Sequence, residues 1–376
     1  MNKNIQYKKL TDICEIITGE WGTEIKENSQ NIVSVIRTTN FLNNGKIDIQ
    51  NKELVKREMD KNKIEQKKLK KGDIIIEKSG GSPNQPVGRV VFFNLNSNDI
   101  FLCNNFTSIL RIKEKINSKY IFYFLRNSYK NNKVLKFQNK TTGIINLKLQ
   151  DYLNGSCIYL PELRIQNKVV NILDILESIL EKNQNYLNYL KELTKSLFTK
   201  YSDSKIVKSF YIKDISSELF AGGDKPNDYS ETTSKEYIYP VYSNGEKKEG
   251  LLCFSKTFKV DKEALTISAR GTIGFTVIRK ACFTPVVRLI TLIPNKNNNI
   301  IYLKYAVEEL NLKKLGSGVA QLTIPVFSKY KLNLPPIELQ NKFAERIEKI
   351  EKLKFTIWKI ISKVYKILKK KGVESN

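Results

Sequence analysis

The chain has 376 residues, of which 41% are hydrophobic and 27% are charged, and it carries a net charge of +26 at pH 7. This composition is typical of globular domains with buried cores and excludes a disordered polyelectrolyte. The sequence contains no histidine, which excludes histidine as a general acid or base, as the partner of a serine or cysteine nucleophile, and as a metal ligand.

The excess of Lys and Arg is typical of a protein that binds a polyanion, although a generally lysine-rich composition would also produce it. The sequence contains no run of about 18 apolar residues, the length needed to span a membrane. It also shows no basic amphipathic helix that would favour a membrane surface. The N-terminal residues MNKNIQYKKL lack the apolar segment of a secretion signal. The five cysteines are scattered without a CxxC pair, which disfavours disulfides and zinc sites. We therefore predict a cytoplasmic protein that binds nucleic acid.

The first half of the chain consists of apolar segments separated by glycine-containing loops, which is typical of strands. Residues 7–19 form an apolar pattern that ends at a glycine, and residues 70–93 predict a strand, a Gly/Ser loop and a second strand. Residues 102–112 predict one further strand, residues 116–129 a helix, and residues 139–148 a glycine turn that leads into a strand.

The second half repeats these elements in the same order. Residues 210–223 correspond to the first apolar pattern, residues 261–283 to the strand–loop–strand segment, and residues 283–293 to the single strand. Residues 298–310 correspond to the helix, and residues 316–325 to the glycine turn and its strand. We interpret the preserved order as an internal duplication of a strand-rich α+β domain.

Both halves end in the same junction, which reads LPELRIQNKV at residues 160–169 and LPPIELQNKF at residues 334–343. A long helical pattern follows each junction, and the first one extends over about residues 162–200. The predicted segments are a domain, a helix, a second domain and a second helix at residues 1–160, 161–205, 206–335 and 336–376.

Apolar residues recur every three or four positions along both predicted helices, which is typical of a coiled coil. The two seams consist of Val169, Leu173, Leu176, Leu180, Asn183, Leu187, Leu190 and Leu197 in the first helix, and of Phe343, Ile347, Ile350, Lys354, Ile357, Ile361, Val364 and Leu368 in the second. We predict that the helices pair antiparallel and relate the two domains by a pseudo-two-fold axis. The alternative is that each helix lies on its own domain.

The order of two strand-rich domains and two LP…Q helices resembles the specificity (S) subunit of type I restriction–modification systems over essentially the whole chain. The motifs that carry this resemblance are LPELRIQNKVVNIL, LPPIELQNKFAERI, GDIIIEKSGGSPNQPVGRVV, YPVYSNGEKKEGLL and TISARGTIGFTVIR. The first junction differs from the second in having Glu162 at the position of Pro336.

The resemblance implies two target recognition domains that each read half of a bipartite sequence in double-stranded DNA. It also implies that the paired helices measure the unread spacer and hold two methyltransferase (M) subunits, which bind S-adenosylmethionine and perform the chemistry. Restriction/translocase (R) subunits complete the restriction complex. The chain itself is then non-catalytic and needs no cofactor or metal.

Polar residues in glycine-rich loops are the candidates for contact with DNA, because Arg can pair with guanine, Asn or Gln with adenine, and glycine lets the backbone approach phosphate. In the first domain these candidates are Arg37, Thr38, Asn40, Lys78, Ser79, Gln85, Asn104 and Asn105. In the second domain they are Lys225, Ser243, Asn244, Ser268, Arg270 and Thr272. Each of these loops could equally be a solvated turn.

The sequence lacks a GxGxxG dinucleotide or methyl-donor fingerprint and a P-loop. Three alternatives remain open: the specificity chain of another DNA modification system, an RNA-binding or scaffold protein, and an enzyme with an unrecognised carboxylate site. The basic run at residues 56–73 is either a phosphate-facing surface or a solvated helix face.

Overall fold

The computed structural model describes residues 7–82, 85–141, 144–204, 206–312 and 321–370. The chain divides into two compact units. The first unit contains the chain up to Lys182 together with the residues from Ile360 onward, and the second unit is Asn183–Lys359. Both boundaries fall inside long helices, so each unit contains a part of both helices.

The first unit begins with short strands and ends in a long helix. Its elements are β1 (Tyr7–Lys9), α1 (Leu10–Ile13), β2 (Cys14–Thr18), β3 (Ile32–Ile36), β4 (Val55–Glu58), α2 (Lys61–Lys67), β5 (Ile74–Glu77), β6 (Val90–Phe92), β7 (Phe101–Cys103), β8 (Thr107–Ile112), α3 (Ser118–Lys130), β9 (Gln138–Thr141), β10 (Ile144–Leu147), α4 (Leu149–Asn154), β11 (Cys157–Tyr159) and the start of α5 (Leu163–Ser202).

The second unit begins inside α5 and repeats the order of the strands that form the two main sheets, but its described residues have no helix between β15 and β16 at the place of α2. Its further elements are β12 (Lys208–Tyr211), α6 (Ile212–Ile215), β13 (Ser216–Ala221), β14 (Tyr239–Tyr242), β15 (Leu251–Ser255), β16 (Ala264–Ile267), β17 (Thr276–Arg279), β18 (Thr284–Pro285), β19 (Ile290–Pro294), α7 (Ile300–Glu309), α8 (Ile324–Phe327), β20 (Lys331–Leu334) and α9 (Ile337–Lys370).

The sheets of the two units have the same topology. The first unit has the strand orders β2-β8-β5-β6 and β4-β3-β7 and pairs β1 with β11, whereas the second has β13-β19-β16-β17 and β15-β14-β18 and pairs β12 with β20. The β3–β7 and β14–β18 pairs are parallel. The internal duplication and the predicted α+β fold class are therefore confirmed.

The two long helices pack against each other and against the sheets within each unit. In the first unit, Val170 and Leu173 near the start of α5 share a core with Val364 and Leu368 near the end of α9. In the second unit, the ring of Phe198 near the end of α5 lies 5.9 Å from the ring of Phe343 near the start of α9. The start of one helix meets the end of the other in both units, so the predicted antiparallel pairing is confirmed.

The seam residues predicted from the heptad pattern face inward. The described side chains at all sixteen of these positions, including Val169, Leu176, Asn183, Leu190, Phe343, Ile350, Ile357 and Val364, are buried or half-buried. Thr194, which interrupts the apolar seam, is also buried, and its hydroxyl donates to the carbonyl of Leu190 at 2.8 Å. A polar residue at this position is satisfied by its own helix.

The two junctions share the sequence LP…QN for a structural reason: a buried glutamine lies at the start of each long helix. In the first unit, the Gln166 Oε1 accepts from the backbone N–H of Asn117 at 3.0 Å, and its Nε2 donates to the carbonyl of Pro161 at 2.8 Å. The Asn117 side chain caps α3 and donates to Asn167 Oδ1 at 2.7 Å. The Gln-Asn pair therefore ties α5 to both the junction and α3.

The second junction repeats every one of these bonds. Gln340 accepts from the backbone N–H of Asn299 at 2.9 Å and donates to the carbonyl of Pro335 at 2.9 Å. Asn299 caps α7, and its side chain donates to Asn341 Oδ1 at 2.9 Å. We call each set of contacts a glutamine clamp, with Gln166 and Gln340 at the two centres.

Three predictions of secondary structure are corrected. The single strands predicted at 102–112 and 283–293 are each two strands, because a turn separates β7 from β8 and β18 from β19. The strand predicted within 316–325 is replaced from Ile324 by the short helix α8, while the glycine turn of that segment lies outside the described residues. The counterpart at 139–148 forms the antiparallel β9–β10 hairpin.

The turn between β18 and β19 depends on a close approach of two backbones. A Cβ atom on Gly222 would lie 2.6 Å from the carbonyl carbon of Pro285 and from the nitrogen of Val286. The same relation recurs in the first unit, where a Cβ atom on Gly19 would lie 2.0 Å from the Asn104 carbonyl oxygen. Only glycine fits at these two positions.

We expect Gln340→Ala to lower the free energy of unfolding of the second unit by about 1–3 kcal/mol, because it leaves the half-buried N–H of Asn299 and the buried carbonyl of Pro335 without this partner. Denaturant unfolding monitored by circular dichroism measures this change. The control is Lys342→Ala on the exposed face of the same helix, which should stay within about 0.5 kcal/mol of the unmodified chain. Equal effects of the two variants would contradict the glutamine clamp.

We also expect Gly222→Ala to destabilise the second unit by about 1–3 kcal/mol through overpacking. Gly223 offers a neighbouring control, since its added Cβ would come no closer than 3.5 Å to the Lys259 Nζ, the end of a flexible side chain. Thermal unfolding of both variants measures this change, and Gly223→Ala should be less destabilised than Gly222→Ala. A loss of stability in Gly223→Ala but not in Gly222→Ala would refute the close approach.

Candidate nucleic-acid interface

In the first unit, backbone hydrogen bonds gather four loops at one edge of the sheets. The backbone N–H of Lys78, directly after β5, donates to the carbonyl of Phe106 in the β7–β8 turn at 2.8 Å. The N–H of Asn104 in the same turn donates to the carbonyl of Ile36 at the end of β3 at 3.1 Å. Gly19, after β2, packs against this turn. The loops selected from the sequence are therefore neighbours in space.

Two of the candidate residues in this unit have structural roles. Asn40 is 0% exposed, and its Nδ2 donates to the carbonyls of Asp48 at 3.1 Å and Lys52 at 3.0 Å. Asn104 is also buried, and its Oδ1 accepts from the Thr107 hydroxyl at 3.3 Å. Neither side chain reaches the surface, so their positions do not support base reading by Asn40 or Asn104.

The other candidates of the first unit remain accessible. Arg37, Thr38, Lys78 and Ser79 are half-buried, whereas Gln85 and Asn105 are exposed. Burial lowers the pKa of the Lys78 ammonium, since desolvation disfavours its charged form. These six side chains stay predictions for contact with DNA.

A buried ion pair that the sequence did not reveal holds the loop that carries Thr38. The Arg89 Nε donates to Glu77 Oε2 at 2.9 Å, and its Nη2 donates to Glu77 Oε1 at 3.0 Å and to the carbonyl of Thr38 at 3.2 Å. Such a bidentate pair is geometrically specific. Glu77 therefore serves to position a loop, and the only sequence signal was a glutamate inside an apolar strand.

The basic run at residues 56–73 is partly neutralised within the first unit. Lys67 and Lys63 in α2 form ion pairs with Glu20, at 2.7 and 3.3 Å. The hydrogen bond from Lys67, followed by that from Lys63, lowers the pKa of Glu20. Of the two interpretations of this run, these contacts favour a solvated helix face for Lys63 and Lys67.

In the second unit, Asn244 joins three loops. Its Nδ2 donates to the carbonyl of Val287 in the β18–β19 turn at 2.6 Å, and its Oδ1 accepts from the backbone N–H of Ala269 at 2.7 Å. Beside it, the N–H of Gly245 donates to the Ser268 hydroxyl at 3.2 Å. Asn244 and Ser268 therefore position the loops after β14 and β16, and Ser268 is itself buried.

The fourth loop of the second unit joins the same cluster through its backbone. The N–H groups of Val287 and Arg288 donate to the carbonyls of Gly223 at 2.7 Å and Gly222 at 3.0 Å. The structure therefore brings together the three segments that carry the predicted residues of this unit, which are the loops after β13, β14 and β16. It adds the β18–β19 turn as a fourth.

Cationic and polar side chains on these loops are accessible. Arg270 is exposed, and its guanidinium donates to Gln321 Oε1 at 3.0 Å through Nε. The Lys225 Nζ lies 3.0 Å from the ring centroid of Tyr229, which is a cation–π contact. Ser243 is half-buried, whereas the hydroxyl oxygen of Thr272 is buried and does not reach the surface. The surface formed by these loops can present positive charge and hydrogen-bond donors to an anionic ligand.

The described ranges contain no group of three or more His, Cys, Asp or Glu side chains with the arrangement of a metal site. No helix in them combines the length and the apolar character needed to cross a membrane. Among the cysteines, burial raises the pKa of Cys103 to about 11, so its thiol stays protonated at neutral pH.

The chain is similar to known proteins both in sequence and in fold. A family model described as the type I restriction modification DNA specificity domain matches residues 2–192 and 205–370. The Mycoplasma pneumoniae protein S.MpnORF89P, which carries the name of a type I specificity subunit, is 31% identical over 268 residues, covering 66% of this chain and 77% of its own length. The MjaX specificity subunit of Methanocaldococcus jannaschii is 26% identical and covers 93% of this chain and 87% of its own length.

A solved structure has the same fold. The S subunit of a type I restriction–modification system from M. genitalium superposes with a TM-score of 0.65 at 15% identity, covering 100% of this chain and 98% of that one. The family model matches one stretch in each repeat, and the two stretches together include most of both long helices. The chain belongs to the family of type I restriction–modification DNA specificity proteins.

Proposed function

We propose that the chain is the non-catalytic DNA-recognition subunit of a type I restriction–modification complex, in which each unit reads one half of a bipartite target. One observation carries this proposal: the same edge of the same duplicated sheets gathers polar and cationic loops in both units. A duplicated reader suits a target with two half-sites, because each module needs its own stretch of duplex.

The electrostatics support a duplex partner. The net charge of +26 attracts the phosphate backbone, which supplies most of the sequence-independent affinity. Lys247, Lys248 and Arg288 are exposed on the loops of the second unit, where they can contact phosphates or base edges. Binding by such charges weakens steeply as the salt concentration rises, because each neutralised phosphate releases counterions.

The long helices offer a docking surface for the subunits that perform the chemistry. Their outward faces expose large apolar side chains, namely Ile172, Ile175, Tyr186, Tyr189, Leu193, Leu353, Phe355, Trp358, Ile360, Tyr365 and Ile367. Large apolar surfaces that stay exposed often mark protein–protein interaction sites. Tryptophan and tyrosine are also enriched among the residues that contribute most of the binding energy at interfaces.

We assign this helical surface to two methyltransferase subunits, one for each repeat. These subunits would bind S-adenosylmethionine and methylate adenines, and restriction subunits would join the complex in the cytoplasm. The duplication supports a pair of partners, since two equivalent surfaces bind two copies of the same subunit.

The proposed function predicts a single bipartite methylation motif. Co-expression of this chain with the methyltransferase subunit of the same host should produce methyladenine at one split sequence, whereas the methyltransferase alone should not. Genome-wide mapping of methyladenine measures this. If the motif persists without the chain, or if RNA competes for the purified complex better than duplex DNA does, the proposal is wrong.

The docking surface predicts that Trp358→Ala weakens the complex with the methyltransferase subunit at least tenfold, because Trp358 is 56% exposed and tryptophan is a frequent hot spot. Copurification and titration measure the affinity. Tyr229→Ala removes an exposed aromatic side chain from a loop and should leave it unchanged. Equal losses in both variants would mean that the helical surface has no special role.

A further inference from the structure

The turn between β18 and β19 contains strained backbone. Val287 has a φ of +52° and Arg288 a φ of +62°, so two successive residues with side chains adopt the left-handed conformation. This conformation is a genuine outlier for a β-branched residue such as Val287. Strain of this kind persists only where the surroundings enforce it, and it concentrates at functional sites.

Hydrogen bonds from three directions enforce this conformation. The N–H groups of Val287 and Arg288 donate to the carbonyls of the two glycines after β13. The carbonyl of Val287 accepts from the Asn244 side chain at 2.6 Å. The N–H of Leu289 also donates to the carbonyl of Val286 at 3.1 Å, which closes the turn. The backbone therefore cannot relax without breaking contacts to two other loops.

The strained turn presents two side chains to solvent. Val287 is 42% exposed and Arg288 is exposed. In the described part of the chain, the Arg288 guanidinium has no ion pair or hydrogen bond. Arg270 on the neighbouring loop differs, because Gln321 accepts from it, and Arg279 is buried. Arg288 thus presents an exposed guanidinium from a turn whose backbone is held in place by hydrogen bonds.

The first unit has a turn at the corresponding place between β7 and β8, although Asn105 and Phe106 do not have the positive φ of Val287 and Arg288. The N–H of Gly222 donates to the carbonyl of Leu289 at 2.8 Å, and that of Gly19 donates to the carbonyl of Thr107 at 3.2 Å. By this correspondence, Val287 and Arg288 occupy the places of Asn105 and Phe106.

The equivalent pair in the first unit is also presented to solvent. Asn105 is exposed and Phe106 is 46% exposed. The corresponding turns therefore display an amide and an aromatic ring in one unit, but a branched apolar side chain and a guanidinium in the other. Corresponding turns with different exposed side chains are what two readers of different half-sites require.

We propose that this turn is the base-reading tip of each unit, and that in the second unit Arg288 pairs with a guanine while Val287 contacts the methyl group of an adjacent thymine. The inference rests on the proposed function and specifies its chemistry. An Arg fork matches the O6 and N7 atoms of guanine in the major groove, and apolar side chains match the thymine methyl.

The experiment uses the chain in complex with its methyltransferase subunit, and it selects bound duplexes from a randomised pool. For Arg288→Ala we expect relaxed selection at one G·C pair in one half-site, with affinity for the selected target lower by about ten- to hundredfold. The other half-site should stay unchanged. Lys280→Ala removes an exposed charge after β17 and should keep the whole motif.

A second variant separates base reading from folding. Val287→Gly suits the positive φ and should leave the thermal stability equal or higher, while preference for one thymine is lost. An unchanged motif in both variants would overturn the inference, and so would equal weakening by Arg288→Ala on all sequences, which indicates a phosphate contact. If the unmodified complex selects no motif, the proposed function itself fails.

Discussion

The glutamine clamp is the contact on which the arrangement of each unit depends. A buried amide must satisfy its donor and its acceptor, so Gln166 and Gln340 fix the direction in which each long helix leaves its sheet. The clamp also connects that helix to the capping asparagine of α3 or α7. The helical seam is therefore attached to the rest of each unit through one hydrogen-bonded corner.

Much of the fold could be predicted because periodicity and repetition are properties of the chain itself. The heptad seam from Phe343 to Leu368 and its counterpart in α5 follow from side chains spaced by helical turns. The β18–β19 turn could not be predicted, since Val286 and Val287 favour extended backbone. Hydrogen bonds from distant loops impose that turn, and single-residue preferences do not contain such information.

The candidate interface was predictable as a set of loops but not residue by residue. Asn and Ser both stabilise turns and read bases, and the sequence does not distinguish the two uses. The structure does, because Asn40 and Ser268 are buried whereas Asn105 is exposed. Arg288 was missed for the opposite reason, since it follows two valines and lacks the glycine or asparagine that marks a loop.

The hydrogen bonds that hold the loops together determine which residues can be exchanged when such a protein changes its target sequence. The bonds that gather the loops run mostly between backbone groups, for example from Lys78 to Phe106 and from Arg288 to Gly222. Backbone bonds do not depend on side-chain identity, so exposed residues on these turns can be exchanged while the support is kept. The constraint then falls on a few positions, the close-packed glycines and Asn244, whose atoms form the support itself.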